Sequence, residues 1–166
     1  MKTYIKFNLR KGETKAGVCD AIARHLWQFF RLREIDGKTG IENTVTNDDI
    51  RIEVATLIDK KKWIKYEDKQ NIDRYQLFIE RQTRLAINKL IKPVKSNTLF
   101  YAGLLNNPYV GYFIAKTSEE IETVRKNKQY HIDGCINNLE IRTIEARSHI
   151  ELLENKSDNN FTPEIS

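Results

Sequence analysis

Glu80-Arg-Gln-Thr-Arg-Leu-Ala-Ile-Asn-Lys-Leu-Ile91 is the stretch on which the fold turns. Thr83, Ala86, Ile87 and Leu90 recur at helical spacing and form an apolar stripe. Arg81, Arg84, Leu85, Asn88 and Lys92 form a second stripe on another side of the same helix. Lys92-Pro93 ends it, because proline lacks the amide that a further turn would need. The first stripe needs other helices to bury it. The second is left facing outward.

From Arg81 to Lys95 the chain holds Arg81, Arg84, Lys89, Lys92 and Lys95, with no acid among them. The whole chain of 166 residues has 28 Lys and Arg against 23 Asp and Glu. Outside this block the charges therefore balance, and the entire excess of +5 sits here. A block of this kind suits a surface that meets phosphates, although a solvated helix face shows the same pattern. Arg can bind the guanine edge two-pronged, Asn the adenine edge, and Leu85 can meet a thymine methyl. The candidate DNA contacts are Arg81, Gln82, Arg84, Leu85, Asn88, Lys89, Lys92 and Lys95, with Arg84 and Asn88 the strongest candidates for base edges.

Upstream, Thr46-Asn47-Asp48-Asp49 has the pattern of a capping box, and Ile50, Val54, Leu57 and Ile58 line the helix behind it. That helix ends in Lys60-Lys61-Lys62, where cations also offset the helix dipole. Further back, Val18, Ile22, Leu26 and Phe29 mark a broad-faced core helix over 15–33, ending near Asp36-Gly37. Residues 3–10 alternate as a short strand would, and 1–13 read as an N-terminal strand or arm. Residues 63–78 fit a β-hairpin around Glu67–Asn71 or a helix starting near Asp73, and the hairpin is preferred.

Downstream, Leu99–Ala102 and Tyr109–Ala115 read as two strands of a hairpin. Thr117 or Ser118 caps a long helix over 118–147, and the polar residues 154–166 read as a disordered tail. The order is helix, short strand, helix, helix, hairpin, helix. The fold class is α+β, mainly α: a winged helix-turn-helix over 14–147. It has an insertion at 59–78 between the second and third helices, an enlarged wing at 93–115 and a long C-terminal helix.

Three segments resemble the small winged helix-turn-helix proteins of bacteriophage and prophage genomes. Gly40-Ile-Glu-Asn-Thr-Val-Thr46 with Asp48-Asp49-Ile50 is similar to their loop, first strand and capped second helix. Ile79–Leu90 is similar to their recognition helix, and Gly111–Ile121 to the last wing strand running into the C-terminal helix. The resemblance implies double-stranded DNA binding through Arg81–Lys92 and the wing, in a regulator or replication-associated factor without enzymatic chemistry.

The insertion departs from that family, and it offers a second surface for nucleic acid or a partner. Lys60, Lys61, Lys62, Lys65 and Arg74 interleave there with Trp63, Tyr66 and Tyr75. A host or phage protein bound through 59–78 is the alternative reading, and a single-strand or RNA binder a third. Packing of these aromatics onto the core explains the same pattern.

No Gly-rich phosphate loop, nucleophile elbow or convincing acid pair is present, so neither an enzyme nor a cofactor is expected. His131 and Cys135 lie one helical turn apart, with Cys19 a conceivable third ligand. A zinc site wants a fourth, so both cysteines read as buried small hydrophobes and no metal is expected. With no membrane-length apolar run, signal-peptide pattern or disulfide framework, the chain reads as cytoplasmic. Its 40% apolar content excludes a largely disordered protein. The oligomeric state stays open, with pairing through the helix after Thr117 one option.

Overall fold

The computed structural model describes residues 4–160. Residues up to Ile121 form one compact unit and those from Glu122 a second. The class is α+β and mainly helical, with one three-stranded antiparallel sheet.

In the first unit, α1 (Lys15–Ile35) begins where the Thr14 hydroxyl accepts the Gly17 amide. It buries Val18, Ile22, Ala23, Leu26 and Phe30. Phe29 of the expected stripe lies at the edge of the core, its ring against that of Phe30. Gly37, at φ 75°, takes the left-handed turn that ends the helix. A single 3-10 turn, Ile41–Asn43, leads to β1 (Val45–Thr46).

The capping box is realised: Thr46 Oγ1 accepts the Asp49 amide and starts α2 (Asn47–Lys61). α2 closes with the amides of Lys62 and Trp63 turned back onto the carbonyls of Asp59 and Ile58. Lys62 there occupies the left-handed region at φ 54°, a cap that glycine would fill with less strain. His25 of α1 meets Glu53 of α2 at 3.2 Å and ties the two helices at the edge of the core.

The expected hairpin over 63–78 is absent. Trp63 and Ile64 are buried, a four-residue helix α3 (Tyr66–Lys69) follows, and α4 runs from Ile72 to Ile91. The reason is legible in hindsight. Asn71 accepts the Arg74 amide as an N-cap, and the spacing Tyr75, Phe78, Ile79 continues unbroken into Gln82 and Thr83. The helix over 80–91 is thus the second half of a longer one.

Residues 4–10 are not a strand either. Ile5 and Phe7 pack on the core, with Phe7 edge-on to Phe78 at 5.1 Å, and the Asn8 amide donates to the Trp63 carbonyl. Alternation here reflects one-sided packing without a partner ladder. Residues 1–3 lie outside the described residues.

Of the hairpin expected after α4, the second strand falls within Tyr109–Ala115 as read, and the first is displaced. β2 is Leu104–Asn107 and β3 is Gly111–Ile114, while 99–102 form a loop anchored by Tyr101, whose amide donates to the Leu90 carbonyl. Strand order is β1-β3-β2, with Thr46 opposite Gly111 and Asn107 opposite Gly111 from the other side. Gly111 is required there: a Cβ would stand 1.8 Å from the Val45 carbonyl oxygen.

α5 (Ser118–Asn160) starts with a reciprocal cap, Thr117 Oγ1 accepting the Glu120 amide and Glu120 accepting the Thr117 amide. It continues past 147 and through the first seven residues of the expected tail, since no proline interrupts it before Pro163. The rest of that tail, 161–166, lies outside the described residues. Among the described residues no helix is long and apolar enough to cross a membrane.

Candidate nucleic-acid interface

α4 is held on one side and open on the other. Phe78, Ile79, Gln82, Thr83, Ala86, Ile87 and Leu90 are buried against the core that α1 and α2 share with it. Arg81, Arg84, Leu85 and Lys92 are exposed, and Asn88 is half-buried at the edge of the groove beside α2. Both stripes of the sequence reading are therefore present on the sides expected. Lys95 is exposed in the loop that follows.

Two expected contacts are corrected. Gln82 is buried at 4% exposure, with the Cys19 thiol 3.8 Å from its amide oxygen, so it faces α1 rather than a ligand. Lys89 is half-buried and ion-paired with Asp20 of α1. It sits where the helix surface turns back to the core, so its charge is answered inside the protein. Position in a cationic run did not distinguish these residues from Arg81 and Arg84.

The structure also gathers residues that the sequence reading did not select. Asn47 and Arg51 of α2 and Tyr112 of β3 line a groove with Glu80, Arg84 and Asn88. Arg51 is ion-paired with Asp48, and burial raises the Tyr112 phenol above its ordinary pKa. The Asn47 amide donates to the Val110 carbonyl at 3.0 Å, which fixes the β2–β3 turn beside the start of α2. At that turn Tyr109 is fully exposed in the left-handed region, φ 64°. On the other flank, Lys6 and Lys15 share a groove with Arg81, Phe7 and Phe78. Nothing in periodicity could place the arm lysine Lys6 beside Arg81.

The hairpin itself carries no charge from Leu104 to Ile114, so Lys95 is the sole cation of the wing segment 93–115. Lys116, just beyond, lies 3.7 Å from Glu42. Any contact from the turn is made by Asn106, Asn107 and Tyr109 or by backbone.

The second surface divides. Lys60, Lys61, Lys62, Lys65, Tyr66 and Arg74 are exposed. Trp63 is buried, its indole N–H donating to Glu13 at 2.6 Å, and so is unavailable for stacking. Tyr75 is half-buried and donates to Asp59, and its phenol is pushed up to about 12 by burial and by that carboxylate. Packing onto the core accounts for these two aromatics; it does not account for Tyr66, 76% exposed.

Cys135 is exposed rather than buried, with its thiol 3.8 Å from His131 Nε2, and Cys19 is half-buried. Among the described residues no group of three or more His, Cys, Asp or Glu is disposed to hold a metal ion. Comparison with protein-family models, with curated proteins and with solved structures finds no match to this chain.

Proposed function

We propose that the chain is a non-enzymatic DNA-binding protein built as a winged helix-turn-helix, of the kind used by phage regulators or replication factors. α4 lies in the major groove, and the β2–β3 turn serves as the wing. One observation carries this reading. The cations of Arg81, Arg84 and Lys92 stand on the open side of a helix whose other side is anchored in the core. The strand order β1-β3-β2, with β1 between the first two helices and the hairpin after α4, supports it as the topology that such a fold needs. So does the position of the wing turn at the N-terminus of α2.

Arg84 and Asn88 reach base edges, while Arg81, Lys92 and Lys95 neutralise phosphates, joined by Lys6 and Lys15 on the flank of Arg81. Four to six phosphates neutralised give a slope of log K against log salt of roughly −3.6 to −5.4. Duplex binding measured at several salt concentrations tests this, and absent or salt-insensitive binding refutes it. Arg84→Ala is expected to relax sequence preference, whereas Lys92→Ala weakens all sequences alike.

Tyr66 of α3 and Ile72 at the start of α4, both exposed, favour a second reading in which 59–78 docks a protein partner. Under that reading, replacing both by serine abolishes capture of the partner and leaves duplex binding intact.

A further inference from the structure

Between Glu122 and Ser157 only Val124 is buried among the described residues. Ile132, Ile136, Leu139, Ile150 and Leu153 are 49%, 51%, 65%, 53% and 53% exposed. With Thr143 and Ala146 they form a series whose steps are four, three, four, three, four and three residues. That is a heptad repeat, and on a helix it draws a single seam about 33 Å long at 1.5 Å per residue.

We propose that this seam pairs with the same seam of a second copy as a parallel, two-stranded coiled coil over residues 132–153. The side chains commit to that occupant. Ile136, Thr143 and Ile150 are β-branched and hold the a positions, while Leu139 and Leu153 hold two of the four d positions and Ile132 and Ala146 the others. β-Branched a with leucine d is the combination that favours parallel dimers over trimers and tetramers.

Of the four flanking pairs, two point the same way, and one, Cys135 with Glu140 of the second copy, carries charge on one side alone. In parallel register a g residue meets the e residue five places on in the other chain. Lys128 then meets Asp133 of the second copy, and His149 meets Glu154 of the second copy. Arg142 meets Arg147 of the second copy, the one opposed pair. Antiparallel pairing would instead place Arg147 beside Glu140 and Asp133 beside Glu154. Arg147 therefore reports the direction of pairing. The pairing stands whether or not α4 meets DNA.

Sedimentation equilibrium of the full chain tests the proposal. The wild-type chain is expected to dimerise reversibly. Leu139→Asp raises the dissociation constant roughly ten-fold or more, because a carboxylate would be buried unpaired in a core layer. Ile141→Asp lies on the same helix but off the seam, and leaves the constant unchanged. Arg147→Glu tightens the dimer by relieving the opposed pair. A chain monomeric at every concentration, or equal effects of Leu139→Asp and Ile141→Asp, overturns the proposal. Weaker pairing by Arg147→Glu overturns the parallel arrangement.

Discussion

α4 and the helical segment from Glu122 carry apolar residues at the same three-and-four spacing, yet their side chains meet opposite fates. In α4 the apolar stripe is buried and the charged stripe is open. In the later segment Ile132, Ile136 and Leu139 are themselves exposed. Periodicity thus reports that a helix has a face for something. What fills that face is decided by other elements, and for α4 these are α1 and α2. The difference separates residues that hold the fold from residues that wait for a partner.

Substitutions in the first unit sharpen that contrast. The largest effect is expected at Leu90, fully buried in α4: Leu90→Ala should cost about 2–5 kcal/mol in denaturant unfolding. Gly111→Ala should come close behind, at about 1–3 kcal/mol, because its Cβ forces β3 away from the Val45 carbonyl. Arg84→Ala should leave stability within about 0.5 kcal/mol of wild type. Its expected loss is in duplex affinity, about 1–3 kcal/mol by titration.

A smaller effect is expected at Glu120. Its carboxylate accepts the Ile41 amide at 2.6 Å and the Lys116 amide at 3.0 Å, joining the loop before β1 to the exit of β3. Burial opposes the charge there, but these amides, with the Thr117 amide and hydroxyl, hold its pKa below 4.5. A depressed pKa means that the stabilisation is present above about pH 4.5 and is lost as pH falls through the folded value. Glu120→Ala should cost about 1 kcal/mol at neutral pH and flatten the acid limb of the stability profile, as thermal melts between neutral and acid pH would show. Lys89→Ala should change least, by up to about 1 kcal/mol in stability, with duplex affinity unaltered because that charge is answered by Asp20.

Much of the first unit was legible because local signals agreed with the final packing. The capping box at Thr46 placed α2, Lys92-Pro93 stopped α4, and Gly37 ended α1. Where reading failed, a local pattern had two physical causes. Ile5 and Phe7 alternate because one side of the arm lies on the core. Tyr75 and Phe78 allow strand or helix until Asn71 is recognised as a cap. Of the candidate site, the exposed stripe from Arg81 to Lys92 was readable from helical phase. The approach of Lys6 and Lys15 to Arg81, and of Asn47 and Arg51 to Arg84, depends on tertiary packing that no spacing encodes.

The central claim is that the open stripe of α4 lies against duplex DNA. A duplex titration over a range of salt, comparing the wild-type chain with an Arg81→Ala, Arg84→Ala double variant, tests it most directly. The account predicts that the double variant binds more weakly and that its slope is shallower by roughly 0.9, the phosphate contact of Arg81 having been removed along with the base contact of Arg84. Equal slopes for the two proteins, or no binding by the wild-type chain at low salt, would contradict it.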